Sequence, residues 1–147
     1  MKKIMISLAA LAALMLALPG TALAVEYGTQ KVVYHINGGD PQQNQAALRN
    51  IQNHINAVGT DNMDIKEVMH GAGLNLLVNA NENENLRSAV DSLKLQNVEF
   101  QVCANTVRGR NLDISKDLYD ATEKDIIPSG VAHLSYLQAQ GYTYVRP

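Results

Sequence analysis

The chain has 147 residues, 46% of them hydrophobic, with 12 basic against 14 acidic side chains and a formal charge of −2 at pH 7. That length suits one domain with a core of its own. The basic residues are too few and too scattered for a nucleic-acid or membrane surface, and the lone cysteine, Cys103, excludes an internal disulfide.

The chain opens MKKIMISLAALAALMLALPGTALA: Lys2 and Lys3, an apolar run from Ile4 to Leu18, then Ala22-Leu23-Ala24. A charged start, a hydrophobic middle and a small-residue cleavage site describe a secretory signal peptide over residues 1–24, cut after Ala24. The apolar run is shorter than the ~20 residues of a membrane-spanning helix. Loss of Lys2 and Lys3 takes the charge from −2 to −4. No second long apolar segment follows, so the domain at residues 25–147 is expected to be soluble, with no membrane contact after cleavage. The lysine-led signal points to a bacterial periplasm.

Lys31 to Gly38 (KVVYHING) is an apolar run stopped by Asn-Gly-Gly, which suits a strand covered on both faces. Asp40-Pro41 then supplies a helix cap with proline in the first turn. Leu48, Ile51, Ile55 and Val58 recur at helical spacing until Gly59. Met63 to Met69 reads as a second strand stopped by HGAG, and Asn85 to Leu95 as a second helix. Leu74 to Val78 between them fits either a strand extension or a helical turn. Val98 to Val102 predicts a third strand, followed by a short helix from Ala104 to Arg108. Asp125 to Ile127 predicts a fourth strand, Ser129 caps a helix running to Gln140, and Tyr142 to Val145 predicts a last strand. This alternation implies an α/β fold: a single flavodoxin-like domain with a five-stranded parallel sheet, order 2-1-3-4-5, and helices on both faces.

In such sheets ligands gather beyond the carboxyl ends of the strands, near the point where strand order reverses. Three turns should meet there: Asn37-Gly38-Gly39, His70-Gly71-Ala72-Gly73 and Cys103-Ala104-Asn105, the first and third on adjacent central strands. Cys103 at a helix start is favoured as thiolate by the helix dipole. His70 is positioned to take the thiol proton. Arg108 and Arg110 offer positive charge nearby, while Asn37, Gly38, Gly71 and Asn105 are candidate ligand-binding positions. His35 reads as a core residue, and His54 and His133 as helix residues beside apolar stripes. A metal site on Cys103 and His70 lacks a third ligand, and neither G-x-G-x-x-G nor a P-loop lysine is present, so no metal and no cofactor are expected.

HGAG (His70 to Gly73), VEFQVCANTVRGRNL (Val98 to Leu112) and IIPSGVAHLSYLQAQGYTYVRP (Ile126 to Pro147) together resemble the DsrE/DsrF-like family of sulfur-relay proteins, from about Lys31 to Pro147. The resemblance implies a small α/β domain that assembles into homotrimers or hexamers and carries sulfur as a persulfide on a cysteine, for which Cys103 occupies the matching place. The export signal and the absence of a second cysteine depart from that pattern. Two functions stand as expectations. One is a periplasmic sulfur carrier or sulfurtransferase-like protein, with Cys103 open to water and partly ionised, exchanging sulfur with a small or protein partner. The other is a non-catalytic oligomeric binding module with an inert buried Cys103.

Overall fold

The computed structural model describes residues 25–147, so the signal peptide read at residues 1–24 lies outside the described residues. Five strands, β1 (Gln30–Ile36), β2 (Met63–Met69), β3 (Glu99–Cys103), β4 (Ile126–Ile127) and β5 (Thr143–Val145), form one parallel sheet. Six helices connect them: α1 (Pro41–Val58), α2 (Asn75–Ala80), α3 (Glu84–Leu95), α4 (Ala104–Gly109), α5 (Ile114–Asp117) and α6 (Gly130–Ala139). Asp40 caps α1 by accepting from the N–H groups of Gln42 and Gln43, with Pro41 behind it, as its sequence required. The segment with two readings, Leu74 to Val78, is helical: a short 3-10 turn at Gly71–Leu74 runs into α2.

The expected class stands: a flavodoxin-like α/β domain with five parallel strands and helices on both faces. The strand order is β4-β3-β2-β1-β5, so β2 lies between β1 and β3, whereas the expected 2-1-3-4-5 arrangement put β1 between β2 and β3. Each of the first three crossovers steps one strand in the same direction. Right-handed connections that keep one direction place their helices on one face. The residues agree: Val32, Tyr34 and Ile36 of β1, Ile65 and Met69 of β2, and Phe100 and Val102 of β3 share one large core with α1 to α4. The last crossover runs back across the sheet, so α6 lies on the opposite face, over a small cluster of Val33, Val68, Ile127, Leu134 and Leu137, and delivers β5 to the free side of β1. The direction therefore reverses between β1 and β5.

Candidate functional site at the carboxyl ends of the strands

The three turns do meet, with the His70 turn in the middle. A Cβ on Gly73 would fall 2.1 Å from the Ile36 carbonyl oxygen, so only glycine lets this turn lie on the end of β1. On the other side, the Gly71 N–H donates to Thr106 Oγ1 at 2.8 Å, joining the same turn to the start of α4. Arg110 reinforces that junction, donating to Asn75 Oδ1 at 2.8 Å and to the Gly71 carbonyl at 3.3 Å.

Cys103 ends β3 and serves as the cap residue of α4. It pairs with Ile127 and therefore points to the face covered by α6. Only 4% of it is exposed, which corrects the expectation of a sulfur open to water. The cover is the Pro128-Ser129-Gly130 turn, where α6 begins directly above the strand ends. Gly130 is packed so closely that a Cβ there would lie 2.9 Å from the Cβ of His70. His70 and Cys103 thus share one neighbour, although no hydrogen bond joins them among the described residues.

The wall around the sulfur is polar. Burial pushes the Cys103 thiol pKa up, but the Gly130 N–H, the Thr106 N–H and hydroxyl and the Asn105 N–H outweigh it, and the net shift is downward. None of these amides makes a formed capping bond to the side chain. They surround the sulfur as two helix starts, favouring negative charge there. Arg108 is exposed and holds the Asn105 side chain, so the positive potential at the sulfur comes from backbone N–H groups rather than guanidinium.

On the same face, His35 is 9% exposed and bonded at both ends of its ring. Its Nε2 lies 2.7 Å from His70 Nε2, and its Nδ1 lies 2.6 Å from the Tyr144 hydroxyl. The two imidazole planes are 26° apart. Burial first, then the nearby His70 and Arg146, lowers the His35 pKa to about 4, and burial lowers that of His70. Both rings are therefore neutral at physiological pH and share one proton along the Nε2–Nε2 contact. His35 is a core residue as its sequence suggested, but a partnered one.

Asn37 and Gly38 sit farther along, at the β1/β5 reversal. With His35, the buried Asn44 and Arg146 they line a cavity of about 50 Å³, and Arg146 donates to Asn37 Oδ1 at 3.2 Å. Among the described residues no cluster of three or more His, Cys, Asp or Glu side chains could hold a metal ion, and no helix is long and apolar enough to cross a membrane.

Sequence reasoning missed Thr106, Gly130, His35 and Tyr144 as parts of the site. Thr106 had a signal, lying three residues after the cap position, where a helix start brings side chains together. Tyr144 had none, because its partner His35 is 109 residues away.

Comparison with known proteins agrees with this architecture. The family model described as the DsrE/DsrF-like family matches residues 30–147. The comparison with curated proteins gave no match. Among solved structures, the chain is similar to a protein of unknown function, MTH1491 from Methanobacterium thermoautotrophicum, at 30% identity and a TM-score of 0.69, over 80% of this chain and 99% of that one. With the model spanning the whole sheet, from β1 to the last residue, the chain belongs to the DsrE/DsrF-like family, which connects it at the family level with sulfur relay.

Proposed function

We propose that the protein is a periplasmic sulfur carrier or sulfurtransferase-like protein in which Cys103 accepts sulfane sulfur as a persulfide. The observation that carries this reading is a buried thiol surrounded by N–H groups from two helix starts, which favour its thiolate over its neutral form. An inert core cysteine sits among aliphatic groups, and burial there raises its pKa. Cys103 belongs to neither aliphatic cluster.

The reaction balances without an added oxidant. The Cys103 thiolate attacks the outer sulfur of thiosulfate, the S–S bond breaks, and sulfite leaves with the bonding pair. The product is a Cys103 persulfide anion, stabilised by the same amides. His70 takes the proton when the thiol ionises, and for the donor to reach the sulfur the Pro128–Gly130 turn must swing outward. Gly71 and Asn105 shape the crevice, Arg110 braces it, and Arg108 fixes the Asn105 side chain at its lip. Asn37 and Gly38 serve the neighbouring cavity, a place for the anionic part of a longer donor beside Arg146. Export by the leader at residues 1–24 would put the carrier in the periplasm. The exposed Val131 and Tyr136 of α6 support assembly into a homotrimer or hexamer through that helix.

Incubation with thiosulfate or polysulfide followed by intact mass measurement tests the reading. The wild type gains about 32 Da per added sulfur, and Cys103→Ser gains nothing. An unchanged wild-type mass, or a gain that survives Cys103→Ser, overturns it. The 4% exposure of Cys103 favours a second reading, a non-catalytic oligomeric binding module in which the thiol is inert. In that case Cys103 reacts with thiol reagents only after denaturation.

A further inference from the structure

We propose that His70, His35 and Tyr144 form a proton path from the crevice at Cys103 to solvent. The inference rests on the carrier reading only for the origin of the proton. The path itself stands on geometry: His70 Nε2 and His35 Nε2 are 2.7 Å apart, and His35 Nδ1 and the Tyr144 hydroxyl are 2.6 Å apart. The inner end touches the residue that covers Cys103, since His70 packs on Gly130. The outer end is wet, because Tyr144 on the edge strand β5 is 41% exposed. Between them His35 is nearly closed off from water. Such an arrangement costs desolvation of an imidazole bonded at both nitrogens, whereas an apolar side chain would fill the same place without that cost.

Each link gives one proton and receives one. His70 Nδ1 makes no hydrogen bond among the described residues, which leaves its lone pair free for the thiol proton, directly or through one water. As it is protonated there, its Nε2 proton passes to His35 Nε2. The His35 Nδ1 proton then passes to the Tyr144 oxygen, and the Tyr144 hydroxyl proton leaves to water. No ring and no phenol ends charged. Both histidines finish in the opposite tautomer, and the reverse transfer restores them when the thiolate is reprotonated. The path matters once a donor fills the crevice, because it leads away from Cys103, across β2 and β1, to the far edge of the sheet.

The tautomers are the direct readout. Nitrogen-15 NMR of histidine-labelled protein should show His70 changing from the Nε2–H to the Nδ1–H form, and His35 from Nδ1–H to Nε2–H, at the pH where Cys103 ionises. Cys103→Ser should abolish the change, and Tyr144→Phe should uncouple His35 from it. Tautomers that stay fixed through the Cys103 titration overturn the path, whatever Cys103 does chemically. The rate is the second readout. Tyr144→Phe, a surface change that removes one oxygen, should slow persulfide formation about tenfold in weak buffer, less than the roughly hundredfold cost of losing a general base. Added imidazole should restore the rate in the variant and leave the wild type unchanged. A variant at the wild-type rate, or one slowed but deaf to imidazole, overturns the path while leaving the carrier reading intact. A wild type that forms no persulfide overturns the carrier reading, and the tautomer measurement still decides the path.

Discussion

The two faces of the sheet bury Glu67 and Cys103 on opposite terms. The face under α1 to α4 belongs to a core of twenty-one buried apolar residues, and in its middle Glu67 is 0% exposed with neither carboxylate oxygen hydrogen-bonded. The face under α6 has an apolar cluster of only five, and although Gln101 Oε1 and His133 Nε2 are buried there without a hydrogen bond, three of its groups have polar neighbours: His35 has His70 and Tyr144, Lys66 has Asp64 and Glu99, and Cys103 has three amides and a hydroxyl. On the thick face burial dominates, and it drives Glu67 to its neutral form with a pKa pushed up to about 8. On the thin face the surrounding N–H and O–H groups compete with burial, and at Cys103 they outweigh it. A buried ionisable group therefore says little by itself; its partners decide whether it can carry a charge.

The largest effects should separate the two faces by stability. Leu77→Ala in the thick core should cost about 2–5 kcal/mol in urea denaturation, and Leu134→Ala under α6 should fall at or below the low end of that range, because a site in a five-residue cluster has fewer packed neighbours and relaxes more easily. Equal losses would break the contrast. Next comes Glu67→Gln. Unfolded, Glu67 titrates near its ordinary value of 4.5, and folded near about 8. Between those values the folded chain holds a proton that the unfolded chain lacks, so stability falls as pH rises through that window and levels off above it. The variant should flatten this slope by several kcal/mol, measured by denaturation at mildly acidic and at alkaline pH. A slope that persists in the variant would mean that Glu67 ionises without cost. Thr106→Val should raise the midpoint of Cys103 alkylation by about one pH unit, since a hydroxyl donated to a thiolate is removed. The smallest effect belongs to Arg108→Ala, with less than about 0.5 kcal/mol of stability lost and the alkylation midpoint unmoved, because this exposed side chain reaches only Asn105.

Most elements were legible in the sequence because their signals are local. Met63 to Met69 is a strand with the expected bounds, and Asp40-Pro41 and Gly59 bracket α1 as caps do. The helix Ile114–Asp117 was not read at all, being a single turn held by its cap Asp113. Strand order was misread because no local pattern in KVVYHI says whether its neighbour is β3 or β5. That choice is made by the return of α6 across the sheet and by the pairing of Val32 with Thr143 and Tyr34 with Val145. At the site, Cys103 and His70 were legible from their places at strand ends. The depth of Cys103 was not, since its cover comes from Gly130, far along the chain. Nor was the role of His35 legible, because an apolar strand containing one histidine looks the same whether or not a tyrosine reaches it from the last strand.

Alkylation of Cys103 in the native protein, followed against pH beside the denatured chain, probes the claim that this thiol is buried and yet more acidic than in the unfolded chain. Because the folded thiol's pKa is the lower of the two, thiolate formation stabilises the fold at higher pH, and this contribution is lost as pH falls through the folded midpoint. The account predicts that native Cys103 reacts without unfolding, with a midpoint below that of the denatured chain. Reaction only after denaturation, or a native midpoint above the denatured one, would contradict it.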